Sequence, residues 1–239
     1  MGPWIMATDA AGGVTDAELA RRLQILATEH WGLLAARSTA QSEVLTRITI
    51  HLTLVSAGLV TIGLLGQATH FASWFAVAAL GILGFLAVVG LLTLMRVLTV
   101  SEEDFMYVTA MNRIRAAYAE IDPAVPSYFL ASTHDDELGM RTTYSFFRHR
   151  GAAEQVLGSS TMLSILVNAV VTGMFAGGLC AALGTPVPWA VAIGILIGLG
   201  VVAAAVWYAG YRFMSAWRTY VPLSPSGAPP PHWRVRSHP

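Results

Sequence analysis

Four stretches of the chain are long and apolar enough to cross a bilayer, whose hydrocarbon core of about 30 Å takes about 20 apolar helical residues. They run from about Ile48 to Gly66, Phe71 to Met95, Thr161 to Leu183 and Trp189 to Tyr211, and none contains Asp, Glu or Arg. Backbone groups in lipid must be satisfied within their own segment, so each stretch predicts a helix. The alternating strands of about ten residues that mark a membrane barrel are missing. A few residues around Gln67–His70 join the first two stretches, and Gly184-Thr185-Pro186-Val187-Pro188 joins the last two. The pattern predicts an all-α membrane protein: four transmembrane helices as two hairpins, residues 48–95 and 161–212, plus a polar helical layer.

The polar segments carry their own helix signals. Residues 1–14 read as a flexible start, and residues 15–47 as an amphipathic helix opened by a Thr15/Glu18 capping box. Leu19, Leu23, Leu26, Trp31 and Leu34 recur at helical spacing. The polar stretch Ala35–Glu43 fits either a continuation into the span or a break. In the connection 96–160, Ser101 with Asp104 predicts a new helix start, and Asp122-Pro123 predicts its end. Thr133 with Asp136 predicts another helix, from Asp135 to about Gly151. The Pro-rich tail within 213–239, from Val221 onward, predicts disorder or polyproline geometry. The N-terminus lacks the basic start and apolar run of a secretory signal, so the first span is expected to be an uncleaved anchor.

Charge adds an orientation. The chain has 239 residues, 55% hydrophobic, with 14 acids, 14 Arg and no Lys. Every Arg lies before the first span, between the hairpins or after the fourth span, and none lies in either short loop. The positive-inside rule then predicts both termini in the cytoplasm. Trp74 and Trp189 near the hairpin tips, and Tyr211, Trp217 and Tyr220 at the other end, suit aromatic belts. Arg-only, Ala-rich usage points by codon composition to a GC-rich bacterial genome, and so to the bacterial plasma (inner) membrane. The composition excludes a disordered chain, a charge-driven nucleic-acid binder and a disulfide scaffold, since Cys180 is the only cysteine.

Candidate chemistry is sparse. Gly173, Gly177 and Ala181 in the third span, and Ala190, Gly194 and Gly198 in the fourth, form four-residue ladders that let helix backbones approach. They fit either packing of these two spans on each other or an oligomer interface. Asn168 inside the third span reads as an interhelical hydrogen bond or a pore lining, and His51 in the first turn of the first span as an interfacial residue or polar contact. The spans have no carboxylate, which argues against a proton- or sodium-coupled transporter. His134, Asp135 and Asp136 are the only metal-ligand candidates, with Glu29-His30 as a remote partner pair, and helix capping competes with that reading. Asn112, Arg113 and Arg115 suit an anionic ligand or a salt-bridged helix face. Nucleotide-loop, metallohydrolase and nucleophile-elbow motifs are all missing, so neither enzyme activity nor a cofactor is expected.

The segments HWGLLAARSTAQSEVLTR, MNRIRAAYAEIDP and STHDD resemble those of four-span integral membrane proteins common in actinobacteria, a resemblance that implies no activity. More weakly, an amphipathic helix entering a tight two-span hairpin is similar to the SLATT membrane effectors, which implies pore formation. The second hairpin departs from that pattern. The expected function is non-enzymatic: a self-associating scaffold or regulatory component working through its cytoplasmic helices. The alternatives are an oligomeric pore or effector channel and a metal-dependent membrane enzyme. The expected partners are the lipid bilayer, a second copy of the chain or a cytoplasmic protein, and no nucleic acid.

Overall fold

The structure is a computed structural model that describes residues 15–72, 74–145 and 158–227. Among the described residues five α-helices follow in order: α1 Asp16–Thr69, α2 Phe75–Ile121, α3 Glu137–Tyr144, α4 Ser160–Ala182 and α5 Val187–Thr219, with a 3-10 turn at Val125–Tyr128 before α3. Among the described residues there is no strand. α1, α2, α4 and α5 are each long and apolar enough to span a membrane, which makes this a multi-pass membrane protein in form.

Two helices are much longer than a membrane is thick. α1 has 54 residues and α2 has 47, about 80 and 70 Å at 1.5 Å per residue. Both run unbroken from their spans into the polar layer. The Thr15/Glu18 capping box starts α1 as predicted, with both reciprocal bonds made. Ala35–Glu43 is a continuation, not a break.

The predicted helix start at Ser101 is not one. Ser101 lies inside α2, where its hydroxyl donates to Val97 O at 2.8 Å, and Asp104 is engaged by α1. A Ser/Asp pair has the same spacing in a helix interior as at a cap, and only the residues before it decide. Here Arg96–Val100 already form good helix, so nothing interrupts the backbone. α3 also begins later than predicted. Asp136, not Thr133, is its N-cap, accepting from Gly139 N at 2.7 Å, while Thr133 lies in the loop before it. The predicted continuation to Gly151 falls beyond residue 145, outside the described residues. The second span starts at Phe75 instead of Phe71, because His70 and Phe71 both take left-handed backbone (φ 48° and 57°) to turn the chain. Gly66 makes room there, since a Cβ on it would lie 2.8 Å from the Phe71 ring.

α1 packs on α2, α2 on α4 and α4 on α5, while α1–α4 and α2–α5 approach only narrowly. α2 contributes to all three buried clusters. One joins Ala40, Val44 and Ile48 to Val97 and Val100, a second joins Leu94 and Leu98 to Ile165 and Ala205, and a third joins Val108 and Met111 to Met140. Thr49, Thr53 and Thr61 donate their hydroxyls to the carbonyl four residues back, so α1 carries them through the apolar layer without other partners.

The small-residue ladders mark the α4–α5 seam within one chain. A Cβ on Gly173 would stand 2.6 Å from Gly194 O, one on Gly177 2.9 Å from Ala190 O, and one on Gly198 3.0 Å from Ala169 O. Ala190 is buried, whereas Ala181 is exposed and falls outside the contact. Gly173→Val and Gly194→Val are therefore expected to destabilise the protein by about 1–3 kcal/mol through overpacking. Gly200→Ala, whose Cβ would meet nothing within 4 Å, should change stability by less than about 0.5 kcal/mol. Thermal unfolding in lipid nanodiscs checks both.

Candidate functional site

The polar layer is organised by ion pairs between the helices. Arg37 of α1 forks onto Asp104 of α2 at 2.6 and 3.1 Å, Glu43 of α1 takes Arg96 of α2 at 2.9 Å, and Glu102 of α2 pairs with Arg212 of α5. Bidentate Arg–carboxylate geometry is the strong form of this interaction. The Tyr144 hydroxyl donates to Asp104 and its ring packs edge-on against Phe105, which brings α3 onto the same place. Burial, and then the Asp104 carboxylate, push the Tyr144 phenol well above its ordinary range.

The densest site forms where the loop before α3 meets the chain after α5. Asp135 is completely buried. Its carboxylate accepts from Arg113 Nε (2.8 Å), Tyr220 Oη (2.8 Å), Leu223 N (3.0 Å) and Ser224 N (2.7 Å). Its backbone N–H donates to Ser224 O at 3.2 Å. Asp136 accepts from Gly139 N, and from both the backbone N–H and the hydroxyl of Ser226 at 2.5 and 2.9 Å. His134 Nδ1 lies 3.3 Å from Ser224 O. Arg113 also donates to Tyr220 Oη at 2.8 Å and sits 5.5 Å from that ring's centre. Residues 220–226 thus form a strap held by two adjacent aspartates. The predicted disorder from Val221 onward does not hold for the described part of the tail, and residues 228–239 lie outside the described residues.

Buried carboxylates need this many donors. Desolvation alone would raise the Asp135 value, but the Leu223 and Ser224 N–H groups, Arg113 and Tyr220 outweigh it and hold it below the ordinary 3.8. Asp136 is held down in the same way by Gly139 and Ser226, against its own burial. Tyr220 is pushed up to about 12 by burial and by the Asp135 charge.

These contacts account for the sequence candidates. Every oxygen of Asp135 and Asp136 already has protein donors, and among the described residues no group of three or more His, Cys, Asp and Glu is placed to hold a metal. The basic face at Asn112, Arg113 and Arg115 is occupied by the protein itself. Asn112 is fully buried, donates to His134 O at 2.9 Å and accepts from Arg115 (2.6 Å) and Thr143 (3.0 Å). Asn112 is the residue that sequence reading undervalued, because its partners lie 22 and 31 positions away. Gly139 lets the loop close, since a Cβ there would lie 2.1 Å from His134 O. Among the span candidates, Asn168 and His51 are both 2% exposed and face each other across Gly90, inside the packed helices. His51 thus packs among the helices as a polar contact.

Beside this site, an open groove of about 1570 Å³ runs between the polar ends of all five helices, with Phe105, Met140, Phe213 and Trp217 on its apolar wall.

The strap has a defined pH window. The aspartates have depressed folded values, so their contribution is present above 3.8 and is lost as pH falls through those values. Tyr220 has a raised value, so its contribution is present below 10.0 and is lost as pH rises toward 12. Limited proteolysis after Tyr220 is expected to be slow between these limits and fast outside them. Asp135→Ala should cost about 3 kcal/mol, the low end for a broken buried pair because Arg113 is partly exposed, whereas Arg141→Ala, which breaks an exposed pair with Glu137, should cost under about 1 kcal/mol in denaturation of the same preparation. Comparison with family models, curated proteins and solved structures returns no match to this chain.

Proposed function

We propose that this protein is a non-enzymatic multi-pass membrane scaffold that binds through the polar layer built on the α1–α2 stalk. The reading includes the orientation expected from the Arg distribution, with that layer in the cytoplasm of a bacterium beneath the plasma membrane. One observation carries the proposal: the stalk displays large apolar side chains far from any span. Trp31 is 69% exposed and lies 17 residues before Ile48, about 25 Å along the helix. Leu23 (40% exposed) and Leu34 (38%) lie within about a quarter turn of it on the same side of α1. Lipid cannot cover a side chain at that distance, and contiguous exposed apolar surface marks interaction sites. The rest of the layer is rigidly tied by ion pairs and the strap, which suits a preorganised binding surface. The partner is a second copy of the chain or another cytoplasmic protein with a complementary apolar helix.

A photo-crosslinking residue at Trp31, Leu34 or Leu23, in native membranes, should give one discrete adduct of defined mass. Trp31→Ala should reduce the adduct formed from position 34, with a loss of affinity of about 2 kcal/mol, close to thirtyfold. Crosslinking confined to monomer and lipid at all three positions would overturn the proposal.

A further inference from the structure

The apolar interior contains one polar junction that the scaffold role does not use. His51 of α1 and Asn168 of α4 meet across Gly90 of α2. A Cβ on Gly90 would stand 2.7 Å from His51 Nε2 and 2.3 Å from Asn168 Oδ1, so only glycine lets them come this close. Asn168 spends its amide N–H on its own helix, donating to Ser164 O at 3.0 Å. It therefore turns a carbonyl oxygen, an acceptor, toward the imidazole. The ring also lies against the backbone carbonyl of Leu86. His51 Nε2 has no hydrogen-bond partner, and neither does Ser164 Oγ one turn from Asn168, although both residues are 97% or more buried. Polar atoms buried without partners are rare and costly, and two in one seam call for an explanation.

Polar groups reach this junction from one side only. At the edge of the polar layer, Ser101 Oγ and Thr161 Oγ1 are hydrogen-bonded at 3.0 Å across the α2–α4 seam. Ser164 lies about one turn deeper on α4, and Asn168 another turn deeper, about 10 Å in all from Thr161. Beyond Asn168, toward the hairpin tips, the seam is apolar: Leu86 and Val171 are buried, and Gly84 receives the Phe175 ring.

We propose that His51 is a proton-binding site within the membrane, served from the charged face along the file Ser101–Thr161–Ser164–Asn168 and closed toward the opposite face. A hydronium ion on the charged side gives up the proton: one O–H bond breaks to leave water, and one N–H bond forms at the lone pair of the neutral ring. The ring nitrogen facing Asn168 Oδ1 becomes a donor, and a hydrogen bond then joins α1 to α4, which otherwise approach only narrowly. Toward the charged face the same helices carry Arg47 and Glu43, about one and two turns before His51 on α1, and Arg96 on α2. Together with Glu103 they form an ion-paired cluster of no net charge. α4 presents no titratable group to the ring. Because the file ends at His51, the site senses protons and does not conduct them. This inference is independent of the scaffold reading.

The test is titration of the full chain in nanodiscs with ring-nitrogen-labelled histidine, followed by NMR between about pH 4.5 and 8.5. His51→Gln identifies the signal, and His51→Asn serves if that variant does not accumulate. The His51 nitrogen is expected to pass from unprotonated to protonated within the range. Asn168→Leu should lower the midpoint by about one unit, since it removes the acceptor that favours the charged form. A second readout needs no substitution at the junction. Spin labels at Leu59→Cys and Met174→Cys, on facing walls of the apolar crevice between α1 and α4, in a Cys180→Ser background, should move together on acidification. A ring that stays neutral throughout overturns the proposal, as does a titration that leaves both the Asn168→Leu midpoint and the spin-label distance unchanged.

Discussion

The structure depends on α2 remaining helical across the boundary between two solvents. In lipid the backbone has no alternative to intrahelical bonding. In the polar layer it has alternatives, and a break at Ser101–Asp104 would cost little locally. Packing removes them. Val97, Val100, Val108, Met111 and Ile114 are buried in sequence along one helix, so interrupting it would separate residues that belong to different clusters. Because the helix is continuous, its position in the membrane fixes the positions of Glu102, Asp104, Asn112 and Arg113 in the polar layer. Each of those residues then recruits another element.

Electrostatics in that layer follow burial more than charge number. The exposed pair Arg141–Glu137 lies on a single helix turn and holds nothing else together. Asp135, fully buried, collects four donors from α2, the end of α5 and the strap. A carboxylate withdrawn from water must be fully satisfied or not charged, so this one residue specifies where three segments meet. The zero net charge of the chain conceals this division between idle surface pairs and the acids, Asp104 and Asp135 among them, that join separate segments.

Much of this was legible from the amino acids. A span is a sum over about 20 residues, and such a sum survives errors at any one of them; the four apolar stretches accordingly became four helices. Glycine ladders at four-residue spacing are also local, and they matched the α4–α5 seam except at Ala181. What sequence could not show was convergence. Asn112 and Thr143, Arg113 and Tyr220, and His51 and Asn168 are separated by dozens of residues or more, and nothing in a single chain announces such pairs. The strap illustrates the point best. Its Pro- and Ser-rich composition reads as disorder when its own residues are considered alone, and it is held by distant partners: Arg113, His134 and the two aspartates beside it. Ser101 shows the reverse: a genuine local cap signal overruled by the packing of the residues before it.

The strap also imposes a rule of parity. Arg113 and Tyr220 share a hydrogen bond although 107 positions separate them, and two apolar helices lie in between. The bond exists only if the chain crosses the membrane an even number of times between those residues. A chain in which α4 or α5 failed to insert would leave Tyr220 and Arg113 on opposite faces and strand Asp135 with too few donors. A half-inserted second hairpin therefore leaves the aspartate contact incomplete. That contact makes the segment following the second hairpin the part that closes the polar layer.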